Sequence, residues 1–347
     1  MRFGLIGLGG IGQVRKAAIE QAPDCTLTAA FDINQDTASQ LGGGARFFNT
    51  AEELLASDSC DAVIISTPTH FHHEQAIAAM QSGKHVIVEK PMASSLQQCR
   101  EMLQVSRETG KVLTVGFNHR YFAAIKEMWQ AIQSGAIGKL SYIRAYAGHT
   151  GLSEFKSPWM YDKDIMGGGT LMDNGIHVLD LTQHLMGGVN SVSGFALTDI
   201  WQLDRSEDNG FALLRGNDNV VATYHSSWTE WKGYRFYLEA YGDRGMFRAY
   251  YAPMMSTLIT LDKPGGARKV KRNFYISSIF REKIRGWQST VIQTFVEELA
   301  DFIALTRGET PAGHIATAED GVRVTEIANA VYRSHAEESV VRLAETV

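Results

Sequence analysis

The sequence predicts an α/β chain of two domains: a parallel sheet wrapped by helices over 1–120, then a mainly antiparallel sheet with helices over 121–347. Three observations carry this. Short apolar runs alternate with helical patterns through the first 120 residues, the order that builds a parallel sheet with helices on both faces. From Val192 to about Phe274 the chain reads as strand after strand with little room for helices between the turns, which gives a mainly antiparallel sheet. The length of 347 residues fits two domains at roughly 100–200 residues each.

The elements follow in order. Phe3 to Ile6 reads as a strand, Gly10 to Gln21 as a helix and Leu27 to Phe31 as the next strand. Ala62 to Ser66 and His85 to Val88 are compact runs rich in Val and Ile, as in strands buried on both faces. Phe71 to Gln81 and Leu96 to Thr109 have helical spacing, and Val112 to Val115 gives a sixth strand. A helix is expected from about Tyr121 to Gln133, a strand from Leu140 to Tyr146, a loop from Trp159 to Gly169 and a helix from Thr170 to Met186. In the later sheet, turns are expected at Gly210, Asn217-Asp218-Asn219, Gly233, Gly242-Asp243-Arg244-Gly245 and Pro264-Gly265-Gly266. Two helices, near Thr290 to Arg307 and Thr317 to His335, close the chain.

Composition narrows the class. The chain is 44 % apolar and 20 % charged, ordinary for a globular protein. Lys plus Arg number 33 against 38 Asp plus Glu, a net charge of −5 that argues against a nucleic-acid partner. No apolar run reaches membrane-spanning length, so no membrane partner is expected. The N-terminus enters a strand-like run at once, without the apolar region and cleavage site of a signal peptide. Cys25, Cys60 and Cys99 form no CxxC pair and read as idle thiols in a reducing cytoplasm.

Gly7-Leu8-Gly9-Gly10-Ile11-Gly12 fits G-x-G-x-x-G between a strand and a helix, and Asp32 ends the second strand 20 residues after the last glycine. That is the dinucleotide-binding context of a Rossmann domain. Gly7 permits the tight turn, Gly9 admits backbone to the pyrophosphate, and Gly12 lets the helix pack on the strand. The helix N-terminus offers free N–H groups to phosphate. Asp32 can accept from both adenosine-ribose hydroxyls and would repel a 2′-phosphate; Ile33 and Asn34 supply no arginine beside it. The expected cofactor is NAD rather than NADP.

Glu89-Lys90-Pro91 sits just past a strand's carboxyl end, where ligands of open α/β sheets bind. Pro91 holds Lys90 extended. Lys90 reads equally as a group that polarises an oxygen or as a solvated surface lysine. Asp173 and His177, four apart on the expected helix, share a face that Asp180 and His184 continue. A carboxylate–imidazole acid–base pair, a metal site and a polar interface all fit this stripe. No dedicated metal signature is present, and no metal is expected. Gly167-Gly168-Gly169 before it imply close approach of backbone to a ligand or another element.

Together these motifs resemble the Gfo/Idh/MocA oxidoreductases. Gly7-x-Gly9-x-x-Gly12, Glu89-Lys90-Pro91 and Gly168-Gly169 leading to Asp173-x-x-x-His177-x-x-Asp180 occur in that family's order and spacing. Ser66-Thr67-Pro68-Thr69-His70 with His72, Gly116-Phe117-Asn118-His119-Arg120, and Glu239-Ala240-Tyr241-Gly242-Asp243-Arg244-Gly245 are similar to its further segments. The resemblance covers about the whole chain. It implies a Rossmann domain followed by an α/β domain on a large, open, mainly antiparallel sheet that also serves oligomerisation, giving a homodimer or homotetramer. It implies NAD or NADP as cofactor, a sugar, inositol or related polyol as substrate, and Lys90, Asp173 and His177 as the catalytic group. Gly7, Gly9, Gly10, Ile11, Gly12, Asp32, Ser66, Thr67, Pro68, His70, His72, Glu89, Lys90 and Asn118 are the expected cofactor residues. Arg120, Trp159 and Tyr161 join Lys90, Asp173 and His177 as expected substrate contacts.

The chain departs from that pattern in two places. Many members carry a His soon after the third glycine, where this chain has Arg15 or Lys16. The segment Glu154 to Met166, with Trp159, Tyr161, Asp162 and Lys163, matches no single substrate. Trp228, Trp231, Tyr234 and Tyr237 read as sheet packing or subunit interface ahead of a sugar platform. The expected reaction is hydride transfer between a secondary alcohol and nicotinamide, with Lys90 and His177 in acid–base roles. A dinucleotide-binding sensor and a redox-neutral NAD-using glycosidase are the alternatives.

Overall fold

The computed structural model describes residues 1–42, 44–153 and 157–344. In chain order the elements are β1 (Arg2–Ile6), α1 (Gly10–Gln21), β2 (Thr26–Phe31), β3 (Arg46–Phe47), α2 (Ala51–Ala56), β4 (Ala62–Ile65), α3 (His72–Gln81), β5 (His85–Val88), α4 (Leu96–Thr109) and β6 (Leu113–Val115). They continue with α5 (Ala123–Gln133), β7 (Leu140–Gly148), α6 (Lys163–Met166), α7 (Gly175–Met186), β8 (Ser191–Leu197), β9 (Asn209–Arg215), β10 (Val221–Ser227), β11 (Arg235–Gly242), β12 (Gly245–Tyr251), β13 (Met255–Leu261) and β14 (Arg268–Phe274). The chain closes with α8 (Ile276–Arg285), α9 (Gln288–Thr306), β15 (Ala316–Thr317), α10 (Ala318–Glu337) and β16 (Val341–Arg342).

The chain divides into two compact units. One holds Met1–Tyr121 and Arg281–Val322, the other Phe122–Phe280 and the chain from Arg323 onward. Pattern alone places one boundary near residue 120; the structure adds two crossings, at 280/281 and 322/323. The physical reason lies in α9. Its Phe295, Leu299, Phe302 and Ile303 are buried in one cluster with Phe3 and Leu5 of β1 and Ala18 and Ile19 of α1. Burying each large apolar side chain contributes roughly 1.5–3 kcal/mol.

The first unit's sheet runs β15-β6-β5-β4-β1-β2-β3. Its six N-terminal strands are parallel, and β15 adds an antiparallel edge to β6. All four residues of β4 are buried, as expected for a strand covered on both faces. α4 opens on Ser95, whose hydroxyl accepts from the Gln98 N–H at 3.3 Å, and ends on Gly110 at φ +66°.

The second unit holds the nine-stranded sheet β14-β13-β12-β11-β7-β10-β9-β8-β16. It is antiparallel except for β10 beside β7, and α7 packs on those two strands. Four expectations change here. The helix expected from Thr170 begins at Gly175, after a run of turns. The expected loop from Trp159 to Gly169 contains a short 3-10 turn, Pro158–Tyr161, and α6. Gly210 is no turn but lies inside β9, where a Cβ would meet the Leu171 side chain at 2.6 Å. α8 was not expected, although Ile276, Phe280 and Ile284 recur every fourth residue on it.

Candidate active site

In the first unit the four expected glycines sort into two kinds. Gly7 has φ +94°, and a Cβ there would lie 2.8 Å from the Ser66 carbonyl. A Cβ on Gly12 would lie 2.2 Å from the Gly7 carbonyl oxygen. Both therefore hold the turn closed. A Cβ on Gly9 or Gly10 would meet nothing within 4 Å. Gly9, Gly10 and Ile11 are exposed, and α1 begins with neither a side-chain cap nor an acidic first turn. Its first N–H groups and positive dipole end thus face outward, which fits a pyrophosphate. Asp32 accepts from the Leu8 N–H at 2.6 Å and the Asn34 N–H at 2.8 Å, tying the end of β2 to the glycine turn.

The loop after β4 is bolted to that turn. The Ser66 hydroxyl donates to the Gly7 carbonyl at 2.9 Å, and Thr67 pairs with Gln75 at 2.8 Å. Pro68 is half-buried, and His70, also half-buried, lies against the Phe71 ring at 3.8 Å between centroids. His72, expected to line the cofactor, is 1 % exposed. Its ring nitrogens meet the Pro91 carbonyl at 3.0 Å and the Thr67 carbonyl at 2.8 Å, and burial pulls its pKa below the ordinary value. It is a brace between two loops.

Glu89 is also expected at the cofactor, yet its carboxylate is engaged inside the unit. Arg15, fully buried, donates to Glu89 at 2.6 Å and to Glu298 of α9, and its guanidinium lies 3.5 Å above the Phe295 ring. Burial pushes the Glu298 carboxyl up to about 7 against the pull of Arg15. The chain's departure at Arg15 is thus a core ion cluster under the Glu89-Lys90-Pro91 segment. Lys90 follows β5 and is half-buried, and the Lys90–Pro91 bond is cis. Burial, with the Lys90 charge adding to it, pulls the pKa of His119 down to about 3. Asn118 is buried and donates to the Thr294 hydroxyl at 3.0 Å. Arg120, expected at the substrate, is 2 % exposed and donates to the Ile315 carbonyl and the Asp320 carboxylate, both at 3.2 Å.

In the second unit the glycine run meets protein. A Cβ on Gly168 would fall 2.0 Å from the Tyr332 hydroxyl, and one on Gly169 would fall 2.0 Å from the Glu207 carbonyl oxygen. The Glu207 carboxylate accepts the Gly169 and Leu171 N–H groups, each at 2.8 Å, and the Tyr332 hydroxyl at 3.0 Å. A side chain from the approach to β9 thereby satisfies orphan amides of the turn leading into α7. Burial pushes the Glu207 carboxyl up to about 7. The turn itself is irregular: Asp173 N–H reaches the Gly169 carbonyl at 3.0 Å, and Gly175 N–H reaches back five residues to Thr170 at 2.8 Å. Asp173 therefore precedes the helix while His177 lies in its first turn, and the regular helical face expected for the pair is interrupted.

Two side chains meet the Asp173 carboxylate. Trp228 Nε1–H donates to its Oδ2 at 3.1 Å. His149 Nε2 meets the same oxygen at 3.1 Å, and the Gly151 N–H donates to His149 Nδ1 at 3.0 Å. Since Nδ1 accepts, Nε2 carries the proton and donates to the carboxylate. Asp173 is 8 % and His177 7 % exposed, while Asp180 is fully buried in α7. Trp159 and Tyr161 are half-buried, and the Tyr161 carbonyl accepts from the Ser206 hydroxyl at 2.8 Å. Glu154, Phe155 and Lys156 of the unassigned segment lie outside the described residues. Among the described residues no His, Cys, Asp and Glu side chains form a group of three or more that could hold a metal.

Sequence reasoning missed Glu207, His149, Glu298 and the role of Arg15. Only Arg15 left a signal, as a departure from a family pattern; Asp173, Gly169 and Arg15, which His149, Glu207 and Glu298 meet, lie 24, 38 and 283 residues away from them.

Comparison with known proteins agrees with this architecture. Residues 1–117 match the model of the oxidoreductase family with an NAD-binding Rossmann fold, and residues 125–248 match the Gfo/Idh/MocA C-terminal domain. The chain is 26 % identical to myo-inositol 2-dehydrogenase of Thermotoga maritima across the whole of both chains. It is 31 % identical to scyllo-inositol 2-dehydrogenase (NAD(+)) of Bacillus subtilis over 65 % of this chain and 63 % of that one. Levoglucosan dehydrogenase, solved with NADH and levoglucosan, shares the fold with a TM-score of 0.87 at 23 % identity over the whole of both chains. With 1–117 and 125–248 matched by the NAD-binding and C-terminal domains of one family, the chain belongs to the Gfo/Idh/MocA oxidoreductases.

Proposed function

We propose that the protein is an NAD-dependent dehydrogenase that moves a hydride between a secondary alcohol of a sugar, inositol or related polyol and the nicotinamide. One observation carries this reading beyond the family. The Asp173 carboxylate is fixed by two neutral donors, His149 and Trp228, four residues before His177. A carboxylate so fixed suits orientation of a hydroxyl for proton removal. The inositol dehydrogenases among the relatives support a cyclic polyol as substrate.

The roles follow from the residues. The amides at Gly9, Gly10 and Ile11 and the Asp32 carboxylate hold the dinucleotide, with Thr67, Pro68 and His70 beside it. When bound, NAD supplies the hydride acceptor or donor. His177 takes the hydroxyl proton, Asp173 orients the ring or a neighbouring hydroxyl, and Lys90 stabilises charge on the reacting oxygen. His72, Glu89 and Asn118 serve the cofactor through the loops they brace. The exposed Phe195 and Leu213 on the second sheet support a homodimer or homotetramer formed through that sheet. Three free thiols fit a reducing, cytoplasmic setting.

The test is a 340 nm screen of NAD and NADP against inositols, aldoses, deoxy-sugars and sugar acids. NADH formation with a polyol or sugar is the expected result. Lys90→Ala then lowers turnover by about two orders of magnitude or more while NADH still binds. Near-normal turnover in that variant refutes the role given to Lys90. Silence across the panel with NAD bound refutes the substrate class.

A further inference from the structure

Beyond the reacting group, the second unit carries a tryptophan ledge. The segment after β10 begins at Trp228, whose indole donates to Asp173. It ends near Tyr234, whose phenol pKa is raised by burial and by the Asp173 charge. The start of this seven-residue stretch thus sits at the Asp173 carboxylate. At its apex, Trp231 is 65 % exposed. Large aromatic rings bury on the order of 150–250 Å² when covered, so a ring laid on Trp231 would gain substantial apolar burial.

The ledge is built rather than loose. Trp231 stands edge-on to Trp201, with ring centroids 5.8 Å apart at 60°. Trp201 is fixed at both ends: its indole N–H donates to the Trp228 carbonyl at 2.9 Å and its amide to Asp208 at 2.8 Å. Gly151, at φ +64°, lets the chain pass; a Cβ there would strike the Trp228 carbonyl at 2.5 Å and the Trp201 indole at 2.9 Å. The exposed Ile200 and Lys232 flank the pair.

We propose that Trp231, backed by Trp201, is a subsite for a second ring, so that the preferred substrate is a glycoside whose reacting ring lies at Asp173. The C–H face of a pyranose is an apolar plate that an indole covers by dispersion, while its hydroxyls stay in water. A free monosaccharide or inositol held at Asp173 leaves Trp231 bare. This inference rests on the polyol reading above and adds the size and shape of the substrate to it.

The test uses the full chain saturated with NADH, so that no turnover occurs. Calorimetry compares cellobiose and methyl β-D-glucopyranoside with D-glucose and myo-inositol. The expected result is cellobiose binding about ten-fold or more tighter than glucose, with the methyl glycoside between them. Trp231→Ala brings that ratio close to one with little change for glucose, and Trp231→Phe keeps most of it. A ratio near one in the unaltered protein, or one that survives Trp231→Ala, overturns the ledge. If glucose or inositol binds and gives NADH at 340 nm while the ratio is near one, the ledge fails and the dehydrogenase reading stands. If no sugar binds although NADH does, both fail.

Discussion

A methyl group added at Gly9 would meet nothing within 4 Å, whereas one added at Gly12 would press on the Gly7 carbonyl oxygen at 2.2 Å. The two substitutions should therefore separate binding from folding. Gly9→Ala changes a cap position and costs less than about 1 kcal/mol of stability. It places a methyl where the pyrophosphate approaches and should weaken NADH by an order of magnitude or more. Gly12→Ala overpacks a helix against backbone, at a cost of roughly 1–3 kcal/mol. Thermal melts without cofactor, beside NADH fluorescence titrations, check both; equal melting temperatures for the two variants would sink the distinction. The tight glycine turn is legible in the sequence because Gly12 packs on the Gly7 carbonyl within one turn. What His72, Glu89 and Arg120 meet in the fold is not. Their residue types suit a cofactor or substrate, but their partners are the Thr67 and Pro91 carbonyls, Arg15, and Ile315 with Asp320. A local motif names a side chain without naming what it faces.

At the scale of elements, the start of α7 shows what pattern can and cannot give. The sequence pattern predicts a helix from Thr170, and the turns of 170–174 are as continuously buried as the helix that follows them. What delays the helix is Glu207, which takes the Gly169 and Leu171 amides and anchors the turn from outside the segment. α8 was missed for the opposite reason. Its apolar residues recur at helical spacing, yet Ile276, Phe280 and Ile284 are 72 %, 64 % and 67 % exposed, and nothing in the pattern distinguishes them from strand residues after β14. The glycine run has a sharp consequence. Gly169→Ala sets a methyl 2.0 Å from the Glu207 carbonyl oxygen and 2.6 Å from its nitrogen, both backbone atoms. It should lose at least about 1–3 kcal/mol and disturb Asp173 and His177 with it. Gly187→Ala, at φ +70° with no atom within 4 Å, should cost only about 1 kcal/mol and leave the Asp173 turn intact. Urea midpoints, with near-ultraviolet circular dichroism reporting Trp228, distinguish the two. A Gly169→Ala midpoint no lower than that of Gly187→Ala would show that Glu207 yields.

Over the whole molecule, among the described residues, each unit buries one carboxyl whose pKa is pushed up to about 7 from an ordinary 4.5, Glu298 in the first and Glu207 in the second. A raised carboxyl pKa means that the folded chain binds more protons than the unfolded chain between those two values. Stability contributed by these groups is therefore full at the acid end of that window and declines as pH rises through it. Buried His72 and His119 act the other way. Their pKa values are depressed, so unfolding takes up protons below the ordinary imidazole range, and stability rises with pH up to that range. The opposing slopes partly cancel in the total, and a difference between two proteins isolates one group. Glu207→Gln keeps the shape of the side chain and removes its titration. The unfolding free energy of the unaltered protein minus that of Glu207→Gln should fall between pH 5 and pH 8, by up to roughly 3 kcal/mol at about 1.4 kcal/mol per unit. Urea unfolding of both proteins at half-unit steps of pH reads it directly. A flat difference would mean that the Gly169 and Leu171 amides and the Tyr332 hydroxyl hold Glu207 ionised throughout, and that the anchor of the Asp173 turn is a permanent charge.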